Sequence, residues 1–342
     1  MNILICSAQV PFARGGAEML VEGLRTALQT AGHRAEIVAL PFQWQPHAAL
    51  FKSALAWRLL DLRTANGVRV DRIIATKFPS YAAQHPTKVV WLVHQYRQAY
   101  DWYGTALSEF TASPEDRRTR AQLLALDRRT LGEAHARYAI SANVAARLKR
   151  FNALDATPLY PPPRLTGRFY AGEYGDYVLY VGRLDRAKRV DLLLHALAQI
   201  PRGDAVIAGS GAEEQALKQL AASLGVGGRV QFPGYVDDAT VLELYANARV
   251  VYYAPVDEDY GFVTVEALMA ARPVLTTEDA GGVLEFIETD HDGWVVRAEP
   301  APLAAALSQA FADAALCRTL GEAGRARVRH IQWQTVVERL TA

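Results

Sequence analysis

The feature that most constrains the fold of this 342-residue chain is a series of short apolar runs set between longer helical patterns. The runs lie at 2–6, 35–40, 71–75, 88–93, 177–181, 204–208, 249–253 and 273–276. Several are continuous rather than alternating, the mark of strands buried on both faces. Helical segments of ~10 to 15 residues between them predict βαβ units and hence parallel sheets. Pro161-Pro162-Pro163 interrupts the series, since three prolines continue neither a helix nor a central strand. The expected fold class is therefore α/β, with Rossmann-like domains over 1–165 and 166–325. A closing helical segment over 326–342 could serve either domain. The two parallel sheets are expected to face across a cleft at their strand carboxyl ends, where ligands of open α/β sheets bind.

Charge and cysteine content narrow the functional class. A formal net charge of +1 gives no basic excess to point to nucleic acid. Cys6 and Cys317 stand far apart and in no CxxC pair, which argues against a disulfide framework or a zinc site and suits a reducing compartment. The N-terminus has neither the basic region nor the apolar stretch of a signal peptide, and no run reaches the ~18 to 20 apolar residues of a membrane span. The expected location is cytoplasmic, with peripheral contact at the inner face of a membrane left open.

Three constellations carry the chemistry. Gly15-Gly16-Ala17-Glu18 follows the first strand and opens a helix, so the backbone can approach a ligand and offer N–H groups to an anion. A plain strand-to-helix turn would look the same. Gly182-Arg183-Leu184-Asp185-Arg186-Ala187-Lys188 follows the run at 177–181. Arg183 would leave the strand end and Lys188 would start the next helix, both within reach of one diphosphate; the plain alternative is a solvated basic turn. The third is Glu258-Asp259-Tyr260-Gly261-Phe262-Val263-Thr264-Val265-Glu266. Glu258 falls in the loop before a helix and Glu266 inside it, with the amides of Gly261, Phe262, Val263 and Thr264 between them as an anion site. An acidic helix cap is the ordinary alternative; a buried Glu266 in an apolar helix would argue against it.

With these residues the sequence resembles the family 4 glycosyltransferases, retaining enzymes of the GT-B fold. The resemblance runs in order through Arg14-Gly15-Gly16-Ala17-Glu18, Ile140-Ser141-Ala142-Asn143-Val144, Leu159-Tyr160-Pro161-Pro162, Gly182-Arg183-Leu184 with Lys188, Ala208-Gly209-Ser210-Gly211, Phe232-Pro233-Gly234-Tyr235-Val236, the two-glutamate segment, and Gly281-Gly282 with Glu285. It implies transfer of a hexose from a nucleotide diphosphate sugar, without metal or other cofactor. Gly15 and Gly16 look like the loop facing the β-phosphate, and Arg183 and Lys188 like the diphosphate clamp. Tyr235 and Val236 look like the main-chain site for the base. Glu258 matches the residue holding donor-sugar hydroxyls, Glu266 the one holding the ribose, and His94 a histidine near the donor sugar. The family's last helix crosses back to the first domain, which suits Trp333 onward. The Glu-Asp-Tyr-Gly form places GDP-mannose ahead of UDP-sugars as the donor, with a glycan or lipid-linked acceptor in polysaccharide biosynthesis.

Other readings stand beside these. His94 alone at a strand end is more often a packed residue. Tyr96, Arg97 and Trp102 suit acceptor contacts, as aromatic faces stack on sugars and Arg97 could meet a phosphate; a packed aromatic loop is the alternative. Asp257-Glu258-Asp259 and Asp290-His291-Asp292 would serve a metal-dependent enzyme. A non-catalytic nucleotide-sugar or glycan binder and a nucleotide-sugar epimerase are the other functional classes. Residues 47–63 read as a core-packed helix with Phe51, Leu55, Leu59 and Leu62 on its apolar stripe, in preference to an interfacial anchor. The Arg-rich stretch 114–129 reads as a solvated helix.

Overall fold

A computed structural model describes residues 1–11 and 15–342. Arg14 of the first glycine motif lies outside the described residues. The chain divides into two compact units, Met1–Arg164 with Ile331–Ala342, and Leu165–His330.

The first unit contains β1 (Asn2–Gln9), α1 (Gly16–Thr30), β2 (Arg34–Pro41), α2 (Ala48–Leu59), a small antiparallel hairpin of β3 (Thr64–Ala65) and β4 (Val68–Arg69), β5 (Arg72–Lys77), β6 (Lys88–His94), α3 (Pro114–Gly132), β7 (Ala136–Ala139), α4 (Ala142–Asn152) and β8 (Thr157–Pro158). Its main sheet is parallel, in the order β2-β1-β5-β6-β7-β8. The continuous runs become β5 and β6, buried along nearly their whole length. Side-chain caps start the helices that follow. Ser113 Oγ accepts from Asp116 N ahead of Pro114 in α3, and Ser141 Oγ accepts from Val144 N in α4, each satisfying an orphan amide of a first turn.

The second unit contains β9 (Tyr177–Val181), α5 (Val190–Leu197), β10 (Asp204–Ala208), α6 (Glu214–Ser223), β11 (Val230–Gly234), α7 (Asp238–Asn247), β12 (Val250–Tyr252), α8 (Phe262–Met269), β13 (Val274–Thr277), β14 (Gly293–Val296), α9 (Pro300–Ala312) and α10 (Ala314–Val328). Its parallel sheet runs β11-β10-β9-β12-β13-β14, the doubly wound order. The strand series reverses direction between β9 and β12, so loops leaving those two strands diverge and open a ligand site between them. Pro233 sits in β11 at the sheet edge, the place where a strand tolerates a missing N–H.

The last helix, α11 (Trp333–Thr341), belongs to the first unit. Trp333 lies over Gly23 of α1, where an added Cβ would come within 2.6 Å of its ring, and meets Trp91 edge to face at 6.3 Å. Arg72 Nη1 donates to the Leu340 carbonyl at 2.7 Å.

Two expectations need correction. The stripe expected on residues 47–63 is not the buried face: α2 buries Leu50, Ala54 and Trp57 and ends at Leu59, while Leu55 and Leu59 are 56% and 75% exposed. Trp57 has the largest apolar surface on the helix, and sealing it turns Leu55 and Leu59 outward, while Leu62, past the helix end, is buried. Lys188 does not begin a helix. It closes a 3-10 turn, Arg186–Lys188, and Arg189 in the left-handed region (φ 51°) separates it from α5.

Candidate active site

The second unit's constellation forms where the sheet reverses. The loop after β9 carries Arg183 and Lys188, and the loop after β12 carries Tyr253 and Glu258. Lys188 Nζ bonds the Glu258 carboxylate and also donates to the Tyr253 hydroxyl at 3.1 Å. Tyr253 in turn donates to Glu258 Oε2 at 2.8 Å. Burial pushes the Glu258 carboxyl up, but the charge and hydrogen bond of Lys188 and the bond from Tyr253 outweigh it and hold the group below its ordinary value. Tyr253 is pushed far up, first by burial and then by the charge of Glu258, so it stays a neutral donor. Lys188 has three N–H donors, and Glu258 and Tyr253 take two directions.

Glycines let these loops approach. A Cβ at Gly209 would fall 1.8 Å from the Gly182 carbonyl, and one at Gly211 2.2 Å from that of Leu184. The motif Ala208-Gly209-Ser210-Gly211 thus presses the loop after β10 onto the clamp loop, joined by Leu184 N to Ser210 O at 3.0 Å. Gly281 (φ 65°) and Gly282 likewise pack against Glu258 and Asp259. Glu258 N donates to Ala280 O at 3.1 Å and Gly282 N to Glu258 O at 2.8 Å. Asp257 takes φ 41° to enter this bridge.

Helix α8 starts at Gly261 (φ 83°) without a side-chain cap; the Thr264 amide, expected in the anion site, instead donates to Gly261 O at 3.0 Å, while the helix start keeps its partial positive charge. The fully buried Thr264 hydroxyl has no hydrogen-bond partner among the described residues. Glu266, expected to be buried, is half-buried. Its carboxylate accepts from Tyr245 at 2.8 Å, which explains its tolerance in an otherwise apolar helix. Arg183 is 74% exposed on its side chain, 3.7 Å from Asp185, so it does not join Lys188 and Glu258 directly. Tyr235, after β11, is 85% exposed, and Val236 is half-buried.

In the first unit, Gly15 N donates to Glu18 Oε2 at 2.9 Å, and Lys77 at the end of β5 pairs with Glu18 Oε1 at 2.5 Å. Gly16 begins α1. His94 ends β6 half-buried, and its Nδ1 donates to the Gln95 carbonyl at 2.7 Å. Arg97 pairs with Asp101 and stacks over Trp102, 4.4 Å from the ring centroid. Asp101 also takes Arg147 Nε at 3.2 Å. Tyr96 is buried within an aromatic cluster with Phe42, Phe78 and Phe110. Of the acidic triplets, Glu258 faces Lys188, and the buried Asp292 is held by Arg327.

Tyr253, Tyr245 and Lys77 were missing from the residues picked out in the sequence. Tyr253 stands at the end of the run 249–253, the place a strand-end rule would search. Nothing local marks Tyr245 or Lys77.

Two parallel α/β sheets, each in its own unit, are the elements of the GT-B fold. Residues 171–327 match the family "Glycosyl transferases group 1". Over 140 residues it is 36% identical to an uncharacterized glycosyltransferase of Methanocaldococcus jannaschii, covering 40% of this chain and 36% of that one. Over 169 residues it is 28% identical to the human alpha-1,3/1,6-mannosyltransferase, covering 44% and 40%. These matches span only about two fifths of the length of those relatives. In overall fold it is similar to the sucrose-phosphate synthase of Thermosynechococcus elongatus, with TM-score 0.79 at 23% identity over 100% of this chain and 98% of that one. Among the described residues, no helix is long and apolar enough to cross a membrane.

Proposed function

We propose that the protein is a retaining, metal-independent hexosyltransferase that uses a nucleotide diphosphate sugar and a glycan or lipid-linked acceptor. The observation that carries this reading is the convergence of Lys188, Glu258 and Tyr253 beside the uncapped start of α8. Lys188, the start of α8 and the exposed Arg183 would stabilise charge growing on the leaving diphosphate. Glu258 would hold donor-sugar hydroxyls and Glu266 the ribose, with the main chain at Tyr235-Val236 taking the base and Gly15-Gly16 facing the β-phosphate. His94 would orient the donor sugar, its Nδ1 proton already committed to Gln95. Arg97 and Trp102 would contact the acceptor, with Tyr96, buried in its aromatic cluster, beneath them.

For a retaining transfer, the state of Glu258 bears on the route. A carboxylate bonded by Lys188 and Tyr253 is a poor nucleophile, so front-face substitution, with the diphosphate accepting the acceptor's proton, fits better than a covalent intermediate. Lys188 and Arg327 neutralise a carboxylate in each acidic triplet, which favours a cation-free site. Likeness to a mannosyltransferase supports GDP-mannose ahead of UDP-sugars. Exposed Arg117, Arg118, Arg128 and Arg129 on α3 support peripheral contact with an anionic membrane.

Thermal unfolding with GDP-mannose and with UDP-glucose, each with and without EDTA, tests the reading. One donor at a hundred times its Kd adds about 2.7 kcal/mol, and EDTA changes nothing. NMR of the product then reads a retained anomer. Stabilisation by neither donor, or activity lost to EDTA and restored by manganese, overturns it.

A further inference from the structure

Residues 94–103 carry His94, Tyr96, Arg97 and Trp102, yet their own regular structure is one 3-10 turn, Arg97–Ala99. Their conformation is imposed from below. Gln95 is fully buried, and its Nε2 donates to Asn152 Oδ1 at 3.3 Å. Asn152, the last residue of α4, donates from Nδ2 to the Tyr100 hydroxyl at 3.2 Å. Tyr100 donates to Asp127 Oδ2 on α3 at 2.6 Å. All four side chains are at most 2% exposed. The chain of bonds therefore ties both ends of the segment to two helices inside the core. Above it, Arg120 of α3 donates to the Ala99 carbonyl at 2.7 Å and lies over Tyr103, and Arg147 of α4 holds Asp101.

We propose that Gln95, Asn152, Tyr100 and Asp127 form a positioning network that fixes the acceptor-facing residues 96–103, with Tyr100 as its keystone, while Lys188, Glu258 and the other residues proposed to hold the nucleotide lie outside that segment. This rests on the acceptor role given to the segment above. Buried polar groups tolerate little movement, because each broken bond leaves a desolvated partner. A network of four such groups thus sets one loop geometry where an apolar core would admit several. Tyr100 is the keystone because its hydroxyl is both acceptor and donor, linking α4 to α3. None of the four touches a substrate.

Tyr100→Phe removes one oxygen and keeps the ring against Phe151. Amide hydrogen exchange over 96–103 is expected to speed about tenfold, the equivalent of ~1.4 kcal/mol. Binding of GDP and UDP, read by calorimetry, stays within twofold. With n-octyl mannoside as acceptor probe, KM for the probe rises while donor KM does not. Asp127→Asn keeps an acceptor oxygen for Tyr100 and is expected to retain the protection. Exchange over 96–103 unchanged in Tyr100→Phe, or nucleotide affinity falling as far as protection does, overturns the proposal. A wild-type protein that binds neither nucleotide defeats the functional reading instead, and the exchange result still decides the network.

Discussion

Lys188→Ala is the most informative perturbation of the candidate site. In the native arrangement the Lys188 and Glu258 side chains are 15% and 18% exposed, so their pairing is only weakly screened by solvent. Removing the ammonium takes away a donor aimed at the proposed diphosphate, a loss that typically raises a barrier by ~2.7 to 4 kcal/mol, or about a hundredfold to a thousandfold in rate. It also takes the ammonium from the buried Glu258 carboxylate, which Tyr253 still bonds; breaking a buried pair from one side costs ~3 to 5 kcal/mol. The sign of the pH effect follows. Glu258 is held below its ordinary value in the folded chain, so the pair's stabilisation is full above the unfolded carboxyl's pKa and fades as pH falls through the folded one. Without Lys188, burial dominates and the carboxyl rises, so the variant is least stable relative to wild type near neutrality and closes the gap in acid. Steady-state transfer and urea unfolding at pH 4 and 7.5 read both effects. A rate within threefold of wild type, with an unchanged stability gap between the two pH values, refutes the clamp.

Three further outcomes follow from the packing. Gly281→Ala puts a Cβ 2.7 Å from both Glu258 N and O at φ 65°; the strain of ~1 to 3 kcal/mol should appear in urea midpoints together with at least a tenfold loss of transfer. Asp127 is raised to about 7 by burial, against the hydrogen bonds of Tyr100 and Tyr81. Its contribution to stability is therefore full in acid and declines as pH rises to about 7, by at most ~4 kcal/mol; Asp127→Asn should flatten that decline and be the more stable protein at pH 8. Gly23→Ala should destabilise the native protein, since its Cβ meets the Trp333 ring. In a Trp333→Ala background the same change should stabilise by up to ~1 kcal/mol, because alanine is the better helix residue; a thermal double-mutant cycle checks the change of sign.

Much of the fold was legible because burial on both faces of a parallel sheet writes itself as a continuous apolar run, a local signal. The eight runs became strands β1, β2, β5, β6, β9, β10, β12 and β13. The short strands β7, β8, β11 and β14 went unread. Two to five residues containing Ala, Thr, Gly or Pro carry too little pattern against the surrounding loops. Helix α2 shows the same limit. Phe51, Leu55, Leu59 and Leu62 made a stripe, but which stripe faces inward depended on where Trp57 found space.

For the site, sequence by itself determined the parts: glycines at strand ends, cations after β9, and two glutamates around a helix start. These are local requirements of close backbone approach and helix-end charge. Only the tertiary structure decided that Lys188 meets Glu258 and Tyr253, that Glu266 shares a bond with Tyr245, and that Gln95, Tyr100, Asp127 and Asn152 form one buried chain. Those partners stand tens of residues apart, and sheet order, not spacing along the chain, brings them together. The reversal between β9 and β12 joins residues 188 and 258, and no periodicity in either segment carries that information.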